Sequence, residues 1–146
     1  MIVPVIVHAE GVGGTVWRSD VVVVNRGWQA QRLSFSYVNP DKVAFTVTRS
    51  LPAFATLMLE DLVANLFGAG SGRGPLSVEV LTEGPQPPAV VARAYAESSF
   101  GSLGSGLSAD VQPAAAAVSM PGLIHDGELR TNIAVTAGDA DVAATF

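Results

Sequence analysis

One short motif occurs twice in this sequence, at residues 17–25 and again at residues 129–135. In each copy a large apolar residue is followed by Arg, a small hydroxyl residue, Asp or Asn, and then β-branched residues. The flanks match as well, since residues 3–8 and 120–125 each contain a proline and end in histidine. An internal repeat of roughly 110 residues constrains the architecture, because both copies must build the same supersecondary unit.

The composition limits the class of protein. With 146 residues the chain can bury one substantial core, and hydrophobic residues make up 49% of it against 14% charged residues. The net charge is −5 and Lys42 is the only lysine, so nucleic acid is excluded as a partner.

The absence of cysteine excludes a disulfide framework and a thiol nucleophile. No apolar run reaches the roughly 18 residues of a membrane span, so we expect no membrane insertion, and no signal peptide is visible.

The pattern of apolar residues predicts many short strands. Alternation and β-branched runs favour strands at residues 2–7, 16–25, 31–38, 43–48, 55–59, 76–81 and 89–97. Pro4 cannot donate to a ladder, so the first strand should lie at an edge or pair on one side only at that point. Residues 25–28 suggest a hairpin turn, and residues 68–74 a glycine-rich loop. Residues 60–67 form the one helical pattern, with acidic residues in its first turn and Gly68 as its stop.

These elements predict an all-β fold, an antiparallel immunoglobulin-like β-sandwich with one short helix near residues 60–67. We expect a sandwich repeat at residues 1–98 and a Gly/Ser/Ala-rich linker at residues 99–119. A partial second repeat follows at residues 120–146, with strands near 123–124, 130–136 and 141–146.

Several short motifs follow one another in a fixed order along nearly the whole chain. They are Val3-Pro4-Val5, Trp17-Arg18-Ser19-Asp20, Asn25, Leu59-Glu60-Asp61-Leu62, Leu66-Phe67-Gly68, Ala94-Tyr95, Ser99-Phe100-Gly101, Pro121-Gly122-Leu123 and Arg130-Thr131-Asn132. This order resembles a family of immunoglobulin-like β-sandwich repeats in secreted bacterial proteins. The resemblance implies an extracellular or cell-surface module without catalytic activity, and it brings no catalytic residues to this sequence.

The histidines are the first candidates for chemistry. His8 and His125 occupy matching places in the two copies, and acidic residues adjoin both. A metal site needs three or four ligands, and no further cluster supplies them. We therefore interpret both histidines as residues that end a strand before a turn.

Other candidate motifs also favour structural interpretations. Asp139 and Asp141 lack the spacing of a calcium loop and fit a hairpin turn. The glycines of residues 68–74 follow a helix, whereas a dinucleotide-binding fingerprint opens one. Ser102, Ser105 and Ser108 lack a nucleophile elbow and fit linker composition. The sequence therefore predicts no catalytic, cofactor-binding or metal-binding residue.

The polar residues of the repeated motif are also interpreted as structural. Arg18 and Arg130 can bind backbone carbonyls or a carboxylate, and Asp20 and Asn132 can fasten a turn.

A second copy of only two or three strands cannot bury its own apolar face. Its strands can complete the sandwich of their own chain, complete that of a neighbouring copy, or belong to a fragment that packs on neither. Strand addition between copies is heterologous and builds an open filament when it does not close.

We therefore favour a self-assembling extracellular filament subunit, a homopolymer whose donor is either the N-terminal strand or the C-terminal segment. The alternative is a monomeric adhesive or spacer module of a surface protein. The candidate assembly residues are Ile2, Val3, Val5, Ile6, Val7, Leu123, Ile124, Ile133, Val135, Val142 and Phe146.

Overall fold

The computed structural model describes residues 1–82, 86–98 and 101–108. This part of the chain contains eight strands and one short α-helix, with a 3₁₀ turn at Val12–Gly14. The strands are β1 (Ile2–Glu10), β2 (Val16–Val24), β3 (Gln31–Val38), β4 (Ala44–Leu51), β5 (Thr56–Leu59), β6 (Gly72–Val80), β7 (Ala89–Ser98) and β8 (Gly101–Ser108), and the helix is α1 (Leu62–Asn65).

All of the strand pairs are antiparallel, and the predicted all-β antiparallel fold is confirmed. The strand order is β4-β3-β6-β1-β2-β7-β8, and β5 pairs with β2. β1 joins the two halves of this arrangement. It pairs with β6 from Ile2 to His8 and with β2 only at Ala9 and Glu10.

The core lies between the two halves, which makes the fold sandwich-like. The alternation of β3 predicts Leu33, Phe35 and Tyr37 on the inward face, and all three are buried. On the outward face Arg32 is exposed and Ser36 is half-buried, but Ser34 is buried as well. One apolar cluster combines side chains from both halves. It includes Val3, Ile6, Leu33, Phe35, Leu76 and Val78 of one half and Val21, Val23, Val90 and Ala92 of the other.

β1 is irregular where the sequence contains Pro4. Its register with β6 shifts between Val3 and Ile6, and these two residues, three positions apart, are both fully buried. From Ile2 to His8 the strand pairs only with β6, so the one-sided pairing expected at Pro4 is confirmed within the described chain, although β1 lies between β6 and β2 in the strand order. A bulge of this kind re-aims side chains.

The predicted helix is shorter than expected. α1 covers one turn, and no acidic residue lies in its first turn. Asp61 precedes it with φ +42°, in the left-handed region. The apolar residues of this segment pack inward, since Leu62, Val63 and Phe67 are buried and Leu66 is half-buried against the core. Gly68, with φ +66°, ends the segment as predicted.

Three connections differ from the prediction. Residues 25–28 do not form a hairpin turn, because β2 pairs with β5 and β7 and not with β3. Gly72–Gly74 belongs to β6 and not to a loop. Gly101–Ser108, expected in a linker, is β8 and pairs with β7 along its whole length. A glycine-rich sequence does not exclude a strand when a neighbouring ladder supplies the hydrogen bonds.

Tyr37 provides a test of this core. Its hydroxyl oxygen is buried and has no hydrogen-bond partner in the described part of the chain. Burial and the nearby charge of Asp41 raise the pKa of the phenol. We expect Tyr37→Phe to raise the free energy of unfolding by about 0.5–1 kcal/mol in urea titrations at pH 7, because an unpaired buried hydroxyl is costly.

The pH dependence of the free energy of unfolding should reflect the ionisation of the Tyr37 phenol. Because the folded-state pKa of this phenol is raised, ionisation of Tyr37 does not affect the stability of the protein below the unfolded pKa of about 10. As the pH rises through the higher folded-state pKa, the protein loses stability. Tyr37→Phe should therefore weaken the alkaline loss of stability. An unchanged profile between pH 9 and 11, or a destabilised variant, would contradict this assignment.

Candidate functional site

The repeated motif places polar side chains on the outward face of β2. Burial alternates along this strand, so Ser19 and Val21 point into the core while Arg18 and Asp20 lie on the opposite face. The register of β7 sets Tyr95 opposite Arg18 and Arg93 opposite Asp20. Residues directly opposite one another share a face, so this polar network spans two strands.

Arg18 binds carboxylates from two different elements. Its Nη1 donates to Glu97 Oε2 at 3.2 Å, and its Nε lies 3.8 Å from Asp61 Oδ2. The predicted role of Arg18 as a carboxylate binder is confirmed. The pairs are partly exposed to solvent, and each is therefore worth at most about 1 kcal/mol.

Asp20 fastens the turn that precedes α1, as the sequence predicted. Its Oδ1 accepts the backbone N–H of Asp61 at 3.0 Å, and its Oδ2 accepts Arg93 Nη2 at 2.9 Å. Tyr95 also donates its hydroxyl to Asp20 at 3.4 Å. One carboxylate thus ties β2, β7 and the start of α1 together.

Arg93 and Tyr95 complete this network. The guanidinium carbon of Arg93 lies 4.2 Å from the centre of the Tyr95 ring. The hydrogen bond to Asp20 raises the pKa of the Arg93 guanidinium. Burial, with Asp20 beside it, raises the pKa of the Tyr95 phenol. Both groups therefore keep their protons near neutral pH and remain donors.

His8 binds a residue that its sequence neighbours did not indicate. Its Nδ1 lies 2.8 and 2.9 Å from the two carboxylate oxygens of Asp61. His8 lies two residues before the end of β1, which agrees with its interpretation as a strand-end residue. In the chain as described, no group of three His, Cys, Asp or Glu residues is placed to hold a metal ion.

Ser19, which lies between Arg18 and Asp20 in the motif, is fully buried and also structural. Its Oγ accepts the backbone N–H of Val7 at 2.9 Å, on the side of β1 that faces away from β6. The network therefore joins β1, β2, β7 and α1 through side chains that bind each other. This arrangement holds the two halves of the fold together and presents no activated nucleophile.

The N-terminal assembly candidates are part of their own sandwich. Val3 and Ile6 are fully buried, while Val5 and Val7 are half-buried and Ile2 is exposed. The N-terminal ammonium also donates to Val78 O at 3.0 Å. The remaining assembly candidates lie outside the described residues, namely Leu123, Ile124, Ile133, Val135, Val142 and Phe146. The same is true of His125, Arg130, Asn132 and the pair Asp139 and Asp141.

β8 ends the strand order on one side of the described sheet. Residues 101–106 are all exposed, and Leu103 is 74% exposed although its partner Ala96 is buried. Ser102 and Ser105, considered above as nucleophiles, lie in this strand. β4 ends the order on the other side and contains Arg49.

A shallow groove of about 330 Å³ opens where β4, β5 and α1 meet. Its lining mixes apolar and polar side chains, namely Arg49, Met58, Leu59, Glu60, Asn65 and Leu66. One cation and one carboxylate do not make a catalytic arrangement, and the groove defines no reaction.

Sequence reasoning missed two features of the surface. Asp61 was assigned to the first turn of a helix, and only its long-range contacts with His8 and Asp20 identify its role. Trp28 falls in the turn predicted at residues 25–28 and Phe54 lies just outside the strand predicted at 55–59, and neither pattern indicates that these side chains are 70% and 72% exposed. The signal available in the sequence was a large aromatic residue beside Gly27 and another two residues after Pro52.

Comparisons with models of protein families, with curated proteins and with solved structures found no match to this chain. Within the residues described, no helix has the length and apolar character needed to cross a membrane.

Proposed function

We propose that this chain is a non-catalytic structural subunit that self-assembles into an extracellular filament by head-to-tail β-strand complementation. The observation that carries the proposal is the character of β8. It is the outermost strand of the described sheet on its side, and residues 101–106 are exposed. Its sequence contains neither proline nor any charged residue. Such an edge lacks the devices that normally prevent pairing with another chain.

The opposite edge offers a useful contrast. β4 carries Arg49, and Lys42 lies just before it with φ +63°. Charged residues at an edge strand oppose the approach of a second sheet. Of the two edges in the described strand order, β8 is therefore the one without charge or proline, and we assign it as the acceptor in the proposed assembly.

The donor in this proposal comes from residues 120–136, which repeat the sequence pattern of β1 and β2. A segment with this pattern carries the apolar alternation that strand addition requires. β1 is less suited as the donor, because its buried Val3 and Ile6 already fill the core of their own chain. Ile133 and Val135 alternate with Asn132 and Ala134, so they would point toward the acceptor's apolar face.

The polar network supports the non-catalytic part of the proposal. His8, Arg18, Asp20 and Asp61 all bind one another or the neighbouring strand. The extracellular location rests on the low content of charged residues and on the family resemblance described above.

A monomeric spacer or adhesive module is the second candidate. The observation in its favour is that β1 to β7 share one core, with the N-terminal strand already in place. A sandwich of this kind can stand alone between other modules.

Electron microscopy of negatively stained protein separates the two functions. We expect filaments from the full chain and none from a chain that ends at Ser119, with both chains giving the circular dichroism of a folded β protein. Filaments from both chains would indicate that β1, and not the C-terminal segment, is the donor strand. Compact particles from both chains would contradict the filament and support the monomeric spacer or adhesive module.

A substitution in β8 tests the acceptor edge separately. Leu103→Lys should abolish the filaments without loss of stability, because the side chain is 74% exposed and a lysine on an edge strand opposes pairing. Val12→Lys is the matched control, since Val12 is 96% exposed in the 3₁₀ turn. Filaments that persist in Leu103→Lys would show that β8 is not the acceptor.

A further inference from the structure

Two exposed aromatic side chains lie in loops that are distant in sequence and joined by a backbone hydrogen bond. Trp28, between β2 and β3, is 70% exposed, and Phe54, between β4 and β5, is 72% exposed. The two loops touch, because the backbone N–H of Phe54 donates to Gly27 O at 3.2 Å. The other aromatic side chains that the structure describes are buried or half-buried.

One buried amide fixes both loops. Asn25 is fully buried, and its Nδ2 donates to Gln29 O at 2.8 Å and to Pro52 O at 2.9 Å. Its Oδ1 accepts the N–H of Gly27 at 2.9 Å, and its own N–H donates to Ala55 O. These hydrogen bonds hold the backbone of both loops in place. Binding therefore costs less conformational entropy than it would in two mobile loops.

Phe54 occupies a position that normally suits glycine. The N–H of Ala55 donates to Pro52 O at 3.2 Å, which closes a four-residue turn with Phe54 in its third position. The φ of Phe54 is +56°, in the left-handed region. A bulky residue is strained there, and strain of this kind concentrates at binding sites.

We propose that Trp28 and Phe54 form a platform that binds a neutral polysaccharide. The face of an aromatic ring is electron-rich and attracts partial positive charge. The C–H groups on one face of a sugar ring carry such charge, while the hydroxyl groups remain in water at the rim. Arg26 and Gln29, both exposed beside Trp28, supply hydrogen-bond donors to that rim.

The shape and charge of the platform favour this ligand over others. Two aromatic side chains offer at most about 300–400 Å², whereas a stable protein partner buries about 800 Å² on each side. An apolar small molecule needs an enclosed pocket, and these rings stand open to water. The net charge of −5 disfavours anionic polymers and anionic lipid surfaces.

Titration with soluble hydroxyethylcellulose, galactomannan and dextran tests the proposal through tryptophan fluorescence. Trp28 is exposed and Trp17 is half-buried, so ligand stacking should shift the emission to shorter wavelength and protect Trp28 from acrylamide quenching. We expect this response with at least one of the three polymers, in both assembled and unassembled protein.

Phe54→Gly supplies the decisive variant. It should weaken binding at least tenfold, and it should raise the midpoint of thermal unfolding by about 3 °C because glycine accepts a positive φ. Phe54→Trp should keep the binding, and so should Val12→Ala at an exposed site elsewhere. The proposal is overturned by an unchanged spectrum with all three polymers or by full binding in Phe54→Gly. A response confined to phosphatidylcholine vesicles or to polyproline would also overturn it.

Discussion

Asn25→Asp should destabilise the protein by about 3 kcal/mol or more in urea titrations at pH 7. The side chain is fully buried, and its Nδ2 donates to Gln29 O, Leu51 O and Pro52 O. An aspartate cannot donate these bonds, and it sets a carboxylate against three carbonyl oxygens. The loss of a buried donor and the burial of an unpaired charge both lower stability.

The deficit of this variant should depend on pH. Burial raises the folded-state pKa of the introduced carboxyl group, so the variant binds a proton more tightly when folded. Its stability should therefore be closest to wild type below the unfolded pKa of about 4 and should fall as the pH rises through the higher folded value. A deficit that stays constant from pH 3 to pH 7 would contradict the burial of this group.

Asn39→Asp is the matched control. Asn39 is half-buried, and its Oδ1 accepts the N–H of Val43 at 2.8 Å, a role that a carboxylate performs equally well. We expect a change within about 0.5 kcal/mol, the size normal for surface substitutions. Equal losses in the two variants would mean that Asn25 is no more important than an ordinary turn residue.

Alternation and β-branched runs were sufficient to predict the positions of most of the described strands. β3 shows this best, because the inward set Leu33, Phe35 and Tyr37 could be assigned from the sequence alone and is buried. These signals are local, and the side-chain period of two fixes the buried face of a strand. β1 was also predicted, together with its pairing on one side only at Pro4.

The pairing of strands was not predictable in the same way. Residues 25–28 have hairpin composition, yet the chain crosses from β2 to the other half of the fold. Asn25 explains the difference, since its contacts with residues 51 and 52 are more than 25 positions away in sequence and no local rule foresees them. The same holds for Asp61, whose partners His8 and Asp20 lie on β1 and β2.

Composition misled the prediction at two glycine-rich segments. Gly72–Gly74 and Gly101–Ser108 were assigned to a loop and a linker because glycine weakens strands. In β6 the glycines are required by packing, and in β8 Gly104 lies opposite Tyr95. A side chain on Gly104 would meet the carbonyl of Ala94, so close approach between strands selects glycine there as well.

Gly74→Ala should lower the free energy of unfolding by about 2–3 kcal/mol, the cost of overpacking a rigid site. A Cβ at this position would lie 2.5 Å from Val38 O and 3.1 Å from Tyr37 Cε2. The first of these is a backbone atom, and Tyr37 is held in the core beside Phe45 and Phe67 at ring distances of 5.7 and 5.5 Å. Neither neighbour can move without disturbing β3.

Gly106→Ala is the matched control for this prediction. It lies in β8, where an added Cβ meets no atom of the described residues within 4 Å, and it lacks a positive φ. We expect a change within about 0.5 kcal/mol, or a slight gain because alanine restricts the unfolded chain. Similar losses at both glycines would mean that strand propensity sets the effect. A loss confined to Gly74→Ala would show that β6 needs glycine because Tyr37 and the carbonyl of Val38 occupy the space.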